Sequence, residues 1–435
     1  MRYDTPEEVA SRLTRHAPRK IRKILDPSVG SGVLLEPLLE RLKKQATQII
    51  CVDSDPKAIS QVQSSFRSYS FKKLSCINAD FLKWSAGRKG DFDCIVMNPP
   101  FGATKADLRK ISLSRALQEH AGRQLAMPLE AAFLCRAIEL LKDGGRLLAV
   151  LPASVIMAES SHWLRALLLN VGAVRMVHEL PPRCFPTVES RMYLLIFDKG
   201  ASQRSITLLN HDLIEPERMT ISPADHRLVK RFDFGFQKAN EFLRRLKRYK
   251  KFGWKSVGDV ATVFRGNVKS PLNGKICVHT TDFHGGFWTL KHWESSNSRL
   301  AATSSIRRGD LLIKRVGRDC HKTVGPPISI VGSPCSDCIL VIRPNNHRES
   351  MELQFSIQSI LRTGWARPLL EKGTGASYIS QKSLLELTIP MNLHERFPQT
   401  FARFVAAQRS KSSRNSEKAV LSAALSLCKD AGIAE

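Results

Sequence analysis

The sequence predicts an α/β fold with a mostly parallel sheet in the first half of the chain, followed by a second, β-rich mixed α/β domain. From residue 20 to about 200, β-branched apolar runs alternate with longer segments of helical periodicity. This alternation is typical of βαβ units, in which ligands bind at the carboxyl ends of the strands. Beyond residue 256 the apolar runs are short and separated by Gly, Pro, Asn and Asp, which indicates short strands joined by loops.

Seven strands are expected in the first domain. They are predicted at Ile24–Ser28, Ile49–Asp53, Leu74–Asp80, Asp93–Pro100, Arg146–Pro152, Val174–Leu180 and Tyr193–Asp198. Two helices stand out between them. VLLEPLLERL at 33–42 is expected to be helical, and LEAAFLCRAIELLKDGG at 129–145 predicts a helix that ends at the Gly144-Gly145 pair.

The domain organisation follows from these patterns and from length. At 435 residues the chain is long enough for two domains with their own cores. We predict a first domain over 1–235, a basic junction over 236–256, a second domain over 257–395 and a helical tail over 396–435. The junction contains RRLKRYKKFGWK at 244–255, in which seven of twelve residues are basic. This segment is either a solvated helix end or a strip that lies along a phosphate backbone.

The charge of the chain indicates a polyanionic partner. Lys and Arg number 67 against 40 Asp and Glu, so the formal net charge is +27. Nucleic acid is the first candidate partner for such a surface, and the alternative is a basic surface that binds nothing. A membrane partner is disfavoured, because the positive charge is spread along the chain and no basic amphipathic helix or lipidation motif is present.

The termini and the cysteines favour a cytoplasmic protein. The opening MRYDTPEEVASRL carries acids where a signal peptide needs a basic start and an apolar core, and no apolar run is long enough to span a membrane. Ten cysteines without a secretion signal are expected to be reduced thiols. Cys335 and Cys338 have metal-ligand spacing but lack a clear second pair, so no metal site is predicted.

Candidate ligand-binding residues follow the first two strands. DPSVGSG at 26–32 supplies Gly30 and Gly32, which allow a tight turn and a close approach of the backbone to a ligand. Asp53 ends the next strand, 21 residues beyond Gly32, where a carboxylate can accept hydrogen bonds from both ribose hydroxyls of a nucleoside cofactor. Asp55, followed by Pro56, is better placed to cap the next helix.

The third and fourth strands end in two further motifs. In NADF at 78–81, Asp80 can accept from an exocyclic amino group and Phe81 can pack on a purine, although Asp80 in isolation is more often a helix cap. In IVMNPPFG at 95–102, the Asn98 side-chain oxygen and the Pro99 carbonyl can accept from one amino group, which the rigid prolines aim. An enzyme that binds a nicotinamide cofactor would use the glycine turn and Asp53, but it has no need for the NPPF motif.

Together, DPSVGSG, CVDSDP, NADF and NPPF resemble the S-adenosylmethionine-dependent amino-methyltransferases, in particular the gamma class of N6-adenine DNA methyltransferases of restriction-modification systems. The resemblance covers roughly residues 1–200 and implies a Rossmann-like methyltransferase sheet. YDTPEEVASRL at 3–13 looks like the cofactor segment that precedes the glycine loop in that class. CFPTVESRMYLLIF at 184–197 is similar to the segment whose aromatic residue packs against the extruded adenine.

The resemblance assigns roles to individual residues. It implies that S-adenosylmethionine is bound by Thr5, Asp26, Pro27, Gly30, Gly32, Asp53, Asp80, Phe81, Asn98 and Pro100. It implies that the catalytic residues are Asn98, Pro99, Pro100, Phe101 and Phe185. Phe101 stands where Tyr is frequent, and Ser28-Val29 stands where Ala-Cys is more usual.

The second domain resembles the target-recognition domains of type I specificity subunits. The similar segments are VGDVATVFRGN at 257–267, RRGDLLIKRVGR at 307–318 and GTGASYISQKSLLELTIP at 373–390. Duplex DNA is therefore the expected partner, with Arg265, Lys314, Arg315 and Arg318 as candidate contacts. Lys105, Arg109, Lys110 and Arg115, after the NPPF motif, are further candidates, and plain solvation is the alternative for each.

The functional prediction is a sequence-specific adenine N6 methyltransferase that modifies duplex DNA as a monomer. A separate restriction endonuclease sharing the site is the implied partner. Three alternatives stay open at this point: an RNA methyltransferase, an N4-cytosine DNA methyltransferase, and a DNA-binding specificity module whose catalytic domain is only a scaffold.

Overall fold

The computed structural model divides the chain into two compact units, Met1–Gln237 and Lys238–Glu435. It describes residues 4–45, 47–69, 71, 73–102, 105–107, 126–185, 190–223, 225, 228–267, 277–284, 287–288, 305–317, 320–325, 330–373, 377–409, 413–430 and 432. The sequence placed the end of the first domain at residue 235. Each unit has its own apolar core, as described below.

A nine-stranded sheet organises the first unit. Its strands are β1 Lys23–Asp26, β2 Gln48–Asp53, β3 Leu74–Asn78, β4 Phe92–Met97, β7 Leu141–Pro152, β8 Gly172–Glu179, β9 Met192–Lys199, β10 Ile206–Leu209 and β11 Arg218–Ile221, while β5 Lys105–Asp107 and β6 Ala126–Pro128 form a separate hairpin. The spatial order is β11-β10-β8-β9-β7-β4-β1-β2-β3. The seven predicted strands are confirmed, with shifted ends.

The direction of the strands gives the sheet one edge at which several strand ends meet. β3, β2, β1, β4 and β7 run parallel, and β9 is inserted antiparallel between β7 and β8. Strand β4 is buried along almost its whole length, because helices cover both faces of the sheet. The α/β prediction of a mostly parallel sheet is therefore confirmed.

Helices form two apolar layers against this sheet. They are α1 Glu7–Thr14, α2 Leu39–Lys44, α3 Pro56–Arg67, α4 Phe81–Trp84, α5 Leu129–Leu140, α6 Ala153–Ile156 and α7 His162–Val171. Side chains of α1 to α3 pack in one core cluster, and those of α5 to α7 pack in the other. Asp55 caps α3 as predicted, since its Oδ1 accepts from the backbone N–H of Lys57 at 2.9 Å.

Two predicted helix boundaries were wrong. The segment 33–42 does not form one helix, because Pro37 fits only at a helix start; a 3-10 turn over Glu36–Leu38 precedes α2. Helix α5 ends at Leu140 and not at Gly144, because Leu141 already pairs with Phe92 of β4. In the second case strand pairing overrides the helical periodicity of the sequence.

The second unit is built on a four-stranded antiparallel sheet. Its order is β13 Ala261–Arg265, β18 Ile339–Pro344, β16 Leu311–Lys314 and β17 Thr323–Val324. Within the described residues, three two-stranded sheets accompany it, namely β12 Trp254–Ser256 with β21 Thr388–Pro390, β14 Phe283–His284 with β15 Phe287–Trp288, and β19 Glu371–Lys372 with β20 Tyr378–Ile379. Its helices are α8 Phe234–Leu246 (which begins in the first unit), α9 Val257–Val260, α10 Ser350–Arg362, α11 Arg367–Leu370, α12 Gln381–Leu385, α13 Leu393–Arg396, α14 Pro398–Arg409 and α15 Ser413–Asp430.

The predicted junction and tail belong to this second unit. Leu246 and Phe252 of the basic segment are buried in its core, so 238–256 is folded with the second unit. Phe404 of α14 and Leu427 of α15 are buried in the same core. Among the described residues, no helix is both long and apolar enough to cross a lipid bilayer.

Arg165 of α7 provides a test of this packing. The guanidinium is fully buried and donates to the carbonyls of Val155, Ala158, Val229 and Lys230 at 2.6–2.9 Å. Lysine has one nitrogen in place of this planar fork, so Arg165→Lys leaves buried carbonyls without a donor. We expect the free energy of unfolding to fall by roughly 3 kcal/mol in chemical denaturation.

The matched control is Arg175→Lys. Arg175 pairs with Asp198 but its side chain is 38% exposed, so this substitution is expected to cost less than about 1 kcal/mol. Equal denaturation midpoints for the two variants would contradict the structural role of Arg165.

Candidate active site

A cavity of about 370 Å³ lies where β1, β2, β3 and β4 end. The segments that follow these four strands line it, namely 27–31 with 33–34, 53–55, 79–82 and 98–101. Asp4 and Thr5 close one side, and Leu129 and Phe133 of α5 add apolar surface. The cavity thus occupies the position at which parallel α/β sheets bind their ligands.

The glycine loop after β1 is held by the carboxylate after β2. Gly30 and Gly32 have φ of +56° and +88°, the left-handed conformation that glycine adopts without strain. A Cβ at Gly32 would also lie 3.0 Å from the Phe66 ring. The N–H of Gly30 donates to Asp53 Oδ2 at 2.9 Å, so the loop and Asp53 fix each other's position.

Asn98 is held from two sides. Its side-chain Nδ2 donates to the hydroxyl of Thr5 at 3.0 Å, and its backbone carbonyl accepts from the hydroxyl of Ser28 at 3.0 Å. The first bond fixes the amide with its nitrogen toward Thr5. The second ties the end of β4 to the glycine loop after β1.

The NPPF residues differ in exposure. Pro99 is buried, Asn98 and Phe101 are half-buried, Pro100 is exposed, and all four line the cavity. Because both prolines fix φ and lack an N–H, the backbone here cannot rearrange into a helix or continue the strand. The amide, the Pro99 carbonyl and the Phe101 ring are therefore presented by a rigid segment.

Asp80 and Phe81 have structural contacts as well as a place in the cavity. Asp80 caps α4, because its Oδ1 accepts from the N–H groups of Leu82 and Lys83 at 2.9 and 3.2 Å. The Phe81 ring is 2% exposed and packs on Phe133 with ring centroids 4.8 Å apart. Helix-cap and ligand roles for Asp80 are compatible, since Oδ2 takes no part in the cap.

Most of the predicted site residues meet in this cavity. Those that line it are Thr5, Pro27, Gly30, Asp53, Asp80, Phe81, Asn98, Pro99, Pro100 and Phe101. Gly32 lies beneath the loop and shapes it without lining the cavity.

Two predicted residues are placed elsewhere. Asp26 is fully buried at the end of β1, behind the loop and not at the cavity surface. Phe185, predicted to stack on the target base, is 2% exposed and packs in an apolar core cluster, so its ring is not available to a base. Arg109, Lys110, Arg115 and Arg318 lie outside the described residues.

Other lining residues were missed from the sequence. The sequence shows Ser28 only as a departure from the family pattern, yet its hydroxyl donates to the carbonyl of Asn98. Leu129 and Phe133 also line the cavity, whereas the sequence predicts only a helix there. Their spacing of four residues places both on one face of α5, but the sequence does not show that this face meets a cavity.

The charge of the cavity is opposite to that of the chain. Asp4, Asp53, Asp55 and Asp80 line it, and no Lys or Arg does so among the described residues. The segment after the glycine loop is a turn and not the first turn of a long helix, so it offers no helix dipole to a pyrophosphate. The lining therefore favours a cationic ligand over a phosphate-bearing cofactor.

A family model described as N-6 DNA Methylase matches residues 2–233. This chain belongs to that family. It is 24% identical over 236 residues to the type II methyltransferase M.BsuBI of Bacillus subtilis, covering 50% of this chain and 44% of that protein. It is 23% identical over 308 residues to the type I restriction enzyme EcoEI methylase subunit of Escherichia coli, covering 64% and 60%. The chain thus spans about half the length of these relatives.

Solved structures of restriction-modification proteins superpose weakly on this chain. The type IIG restriction endonuclease BpuSI has a TM-score of 0.46 at 15% identity, covering 97% of this chain and 66% of its own. A modification subunit of a putative type I restriction enzyme from Vibrio vulnificus YJ016 has a TM-score of 0.42 at 20% identity, covering 48% and 47%.

The cavity residues fit S-adenosylmethionine, the cofactor that the resemblance implies. Its sulfonium and amino groups are cationic, which suits a lining that, in the part of the chain the structure describes, has four aspartates and no basic residue. Asp53 accepts the N–H groups of Gly30 and Asp55. A carboxylate has about four acceptor sites, so two remain for ribose hydroxyls.

Asp26 makes the stability of the unliganded protein depend on pH. Burial raises the pKa of its carboxyl to about 8, and Oδ2 has no hydrogen-bond partner among the described residues. In the unfolded chain the group titrates near pH 4. The pKa of Asp26 is higher in the folded protein than in the unfolded chain. The free energy of unfolding is therefore highest below about pH 4, where both states hold the proton, and it falls as the pH rises through about 8.

Asp26→Asn removes this titration. We expect the free energy of unfolding of the variant, measured relative to wild type, to be higher at pH 8.5 than at pH 5 by roughly 2 to 4 kcal/mol, since each pKa unit corresponds to about 1.4 kcal/mol. Denaturant titrations of both proteins at the two pH values measure the change. A difference between the proteins that stays constant with pH would show that Asp26 does not titrate as stated.

Proposed function

We propose that this protein transfers the methyl group of S-adenosylmethionine to N6 of an adenine that has been extruded from duplex DNA. The observation that supports this proposal best is the meeting of two features in one cavity. The rigid NPPF segment suits an amino group on a flat ring, and the aspartate-lined half of the same cavity suits a cationic cofactor. Membership of the N-6 DNA Methylase family supports the same reaction.

Asn98 and Pro99 would position and activate the amino group. The Asn98 side-chain oxygen and the Pro99 carbonyl accept its two hydrogens, which directs the nitrogen lone pair toward the methyl donor. As positive charge grows on that nitrogen, the same two oxygens stabilise it. When bound, S-adenosylmethionine supplies an activated methyl group.

Phe101 and the lining apolar residues would hold the base. The half-buried ring of Phe101 offers a face on which the base can stack, and this stacking offsets the few kcal/mol that it costs to remove the base from the duplex. After transfer, the nitrogen carries an extra proton that is acidic enough to pass to water. No strong base is needed, and Asp80 serves the cofactor and the α4 cap in this scheme.

The second unit would select the DNA sequence. Its resemblance to target-recognition domains and the net charge of +27 support contact with duplex DNA. Action as a monomer in the cytoplasm, together with a separate endonuclease of the same specificity, completes the proposal.

Transfer of labelled methyl groups tests the reaction. Wild-type protein and labelled S-adenosylmethionine are incubated with a duplex DNA library, with matched RNA and with protein, and the products are digested to nucleosides or amino acids. We expect the label in N6-methyladenine of DNA. Asn98→Ala should lower the rate roughly 100- to 1000-fold, because two rigid acceptors become one.

The control is Asn210→Ala, which removes the same side chain from the β10–β11 hairpin and should leave the rate unchanged. Label in N4-methylcytosine would support methyl transfer to an amino group but show that the target base is cytosine. Label in RNA or protein would contradict duplex DNA as the substrate. If no acceptor is labelled and the cofactor does not bind, the alternative of a DNA-binding specificity module is favoured.

Thr5 is proposed to act through Asn98. Thr5→Val keeps the shape of the side chain and removes the hydroxyl that accepts from Asn98 Nδ2. We expect kcat to fall about tenfold, equivalent to one lost hydrogen bond, and Thr5→Ser to restore it. In an Asn98→Ala background, Thr5→Val should have little further effect on kcat. Equal losses in both backgrounds would mean that Thr5 acts on the cofactor alone.

A further inference from the structure

A basic cluster with one exposed and two half-buried side chains occupies one end of the four-stranded sheet in the second unit. β13 ends with Arg265, β16 ends with Lys314 and is followed by Arg315, and the chain enters β18 through Asp337. Antiparallel pairing brings these ends together, since Arg265 lies opposite Leu340 and Lys314 lies opposite Ile339. The cluster has three positive charges and one negative charge.

Asp337 holds two of the guanidinium groups. Its backbone carbonyl accepts from Arg265 Nε at 2.8 Å and from Arg315 Nη1 at 3.4 Å, and its carboxylate pairs with Arg265 Nη2. The Arg315 guanidinium also lies 5.7 Å from the centre of the Tyr378 ring. The Arg265 side chain is therefore held along one edge only.

The other edge of Arg265 faces away from Asp337. Nε and one hydrogen of Nη2 are used, whereas Nη1 has no partner among the described residues and the side chain is 46% exposed. The Nη1–Nη2 edge therefore presents two parallel N–H donors from a held position. Two such donors match the O6 and N7 acceptors of guanine in the major groove, and no other base offers two adjacent acceptors there.

The backbone beneath Arg265 is held as well. Gly266 follows it, and a Cβ on Gly266 would lie 2.2 Å from the carbonyl oxygen of Ser336. Only glycine allows β13 to approach the 335–338 segment this closely, which is the segment that carries Asp337. The N–H of Gly266 also donates to the carbonyl of Ile339 at 3.1 Å.

A second arginine of the same sheet shows the contrast. Arg343 uses Nε and Nη2 on both oxygens of Asp310 and donates again to the carbonyl of Ser305, with its side chain 18% exposed. That ion pair is enclosed within the fold. The Arg265–Asp337 pair lies at the surface, where an ion pair adds little to stability, so its geometry is better explained by preparation for a ligand.

We infer that Arg265, oriented by Asp337, reads one guanine of the recognition sequence through the major groove. The inference rests on the proposed function, because it takes duplex DNA as the substrate. It extends that function by naming one base of the recognition sequence and the residue that contacts it. Arg315 and Lys314 add positive charge beside it and contact phosphates. Asp337 is a positioning residue, which fixes the guanidinium without contacting the base.

Selection of bound duplexes tests this inference in the full chain. Wild type, Arg265→Ala, Arg265→Lys and Arg362→Ala each bind a randomised duplex library in the presence of S-adenosylmethionine, and the bound DNA is sequenced. We expect wild type to require guanine at one position. Both Arg265 variants should lose that preference by about 5- to 150-fold, which corresponds to 1–3 kcal/mol per bidentate contact, and keep the preference at every other position.

The variants separate charge from geometry. Arg265→Lys keeps the charge without the fork, and Arg362→Ala removes a surface arginine that pairs with Glu417 elsewhere in the unit. Arg362→Ala should keep the guanine preference. Asp337→Asn should weaken that preference without abolishing it, and thermal midpoints within a few degrees of wild type would exclude loss of folding.

Three results would overturn the inference. They are an unchanged guanine preference in Arg265→Ala, an equal loss of affinity for all sequences, which indicates a phosphate contact, and a wild-type protein that selects no base. Because the selection does not depend on methyl transfer, a protein that selects guanine but labels no adenine refutes the proposed reaction and leaves the reading of guanine supported.

Discussion

The site depends on the adjacency of the carboxyl ends of parallel strands, which hydrogen bonds then lock together. Asp53 after β2 holds Gly30 after β1, and Ser28 of the same loop holds the carbonyl of Asn98 after β4. Thr5 then fixes the side chain of Asn98. The glycine loop, Asp53 and Asn98 are thus one connected unit, and the strand order β2-β1-β4 makes the connection possible.

The distribution of charge separates the two ligands of the proposed reaction. A chain with a net charge of +27 attracts DNA over its surface, yet its cavity is lined by four aspartates and no described basic residue. The phosphate backbone is therefore disfavoured in the cavity, while a cationic cofactor is favoured there. In the second unit, one aspartate gathers two arginines at the surface, which again uses an acid to position positive charge.

Much of the fold was predictable because its signals are local. Buried parallel strands need continuous apolar runs, and the seven predicted runs are strands. The ends of helices were less predictable, since Leu141 pairs with β4 although it continues the helical periodicity of α5. The charges of the basic segment 244–255 dominate its composition and predict a junction, whereas its buried Leu246 and Phe252 decide its place in the second core.

The sequence by itself determined which chemistry is proposed, because the motifs that indicate it follow directly after recognisable strands. DPSVGSG, Asp53, NADF and NPPF are local motifs whose order needs no coordinates. The tertiary structure decided which of their side chains reach the cavity. Asp26 and Phe185 are buried away from it, and Ser28 acquires its role from a residue 70 positions later. Such contacts between distant segments depend on strand order and packing, which no local pattern encodes.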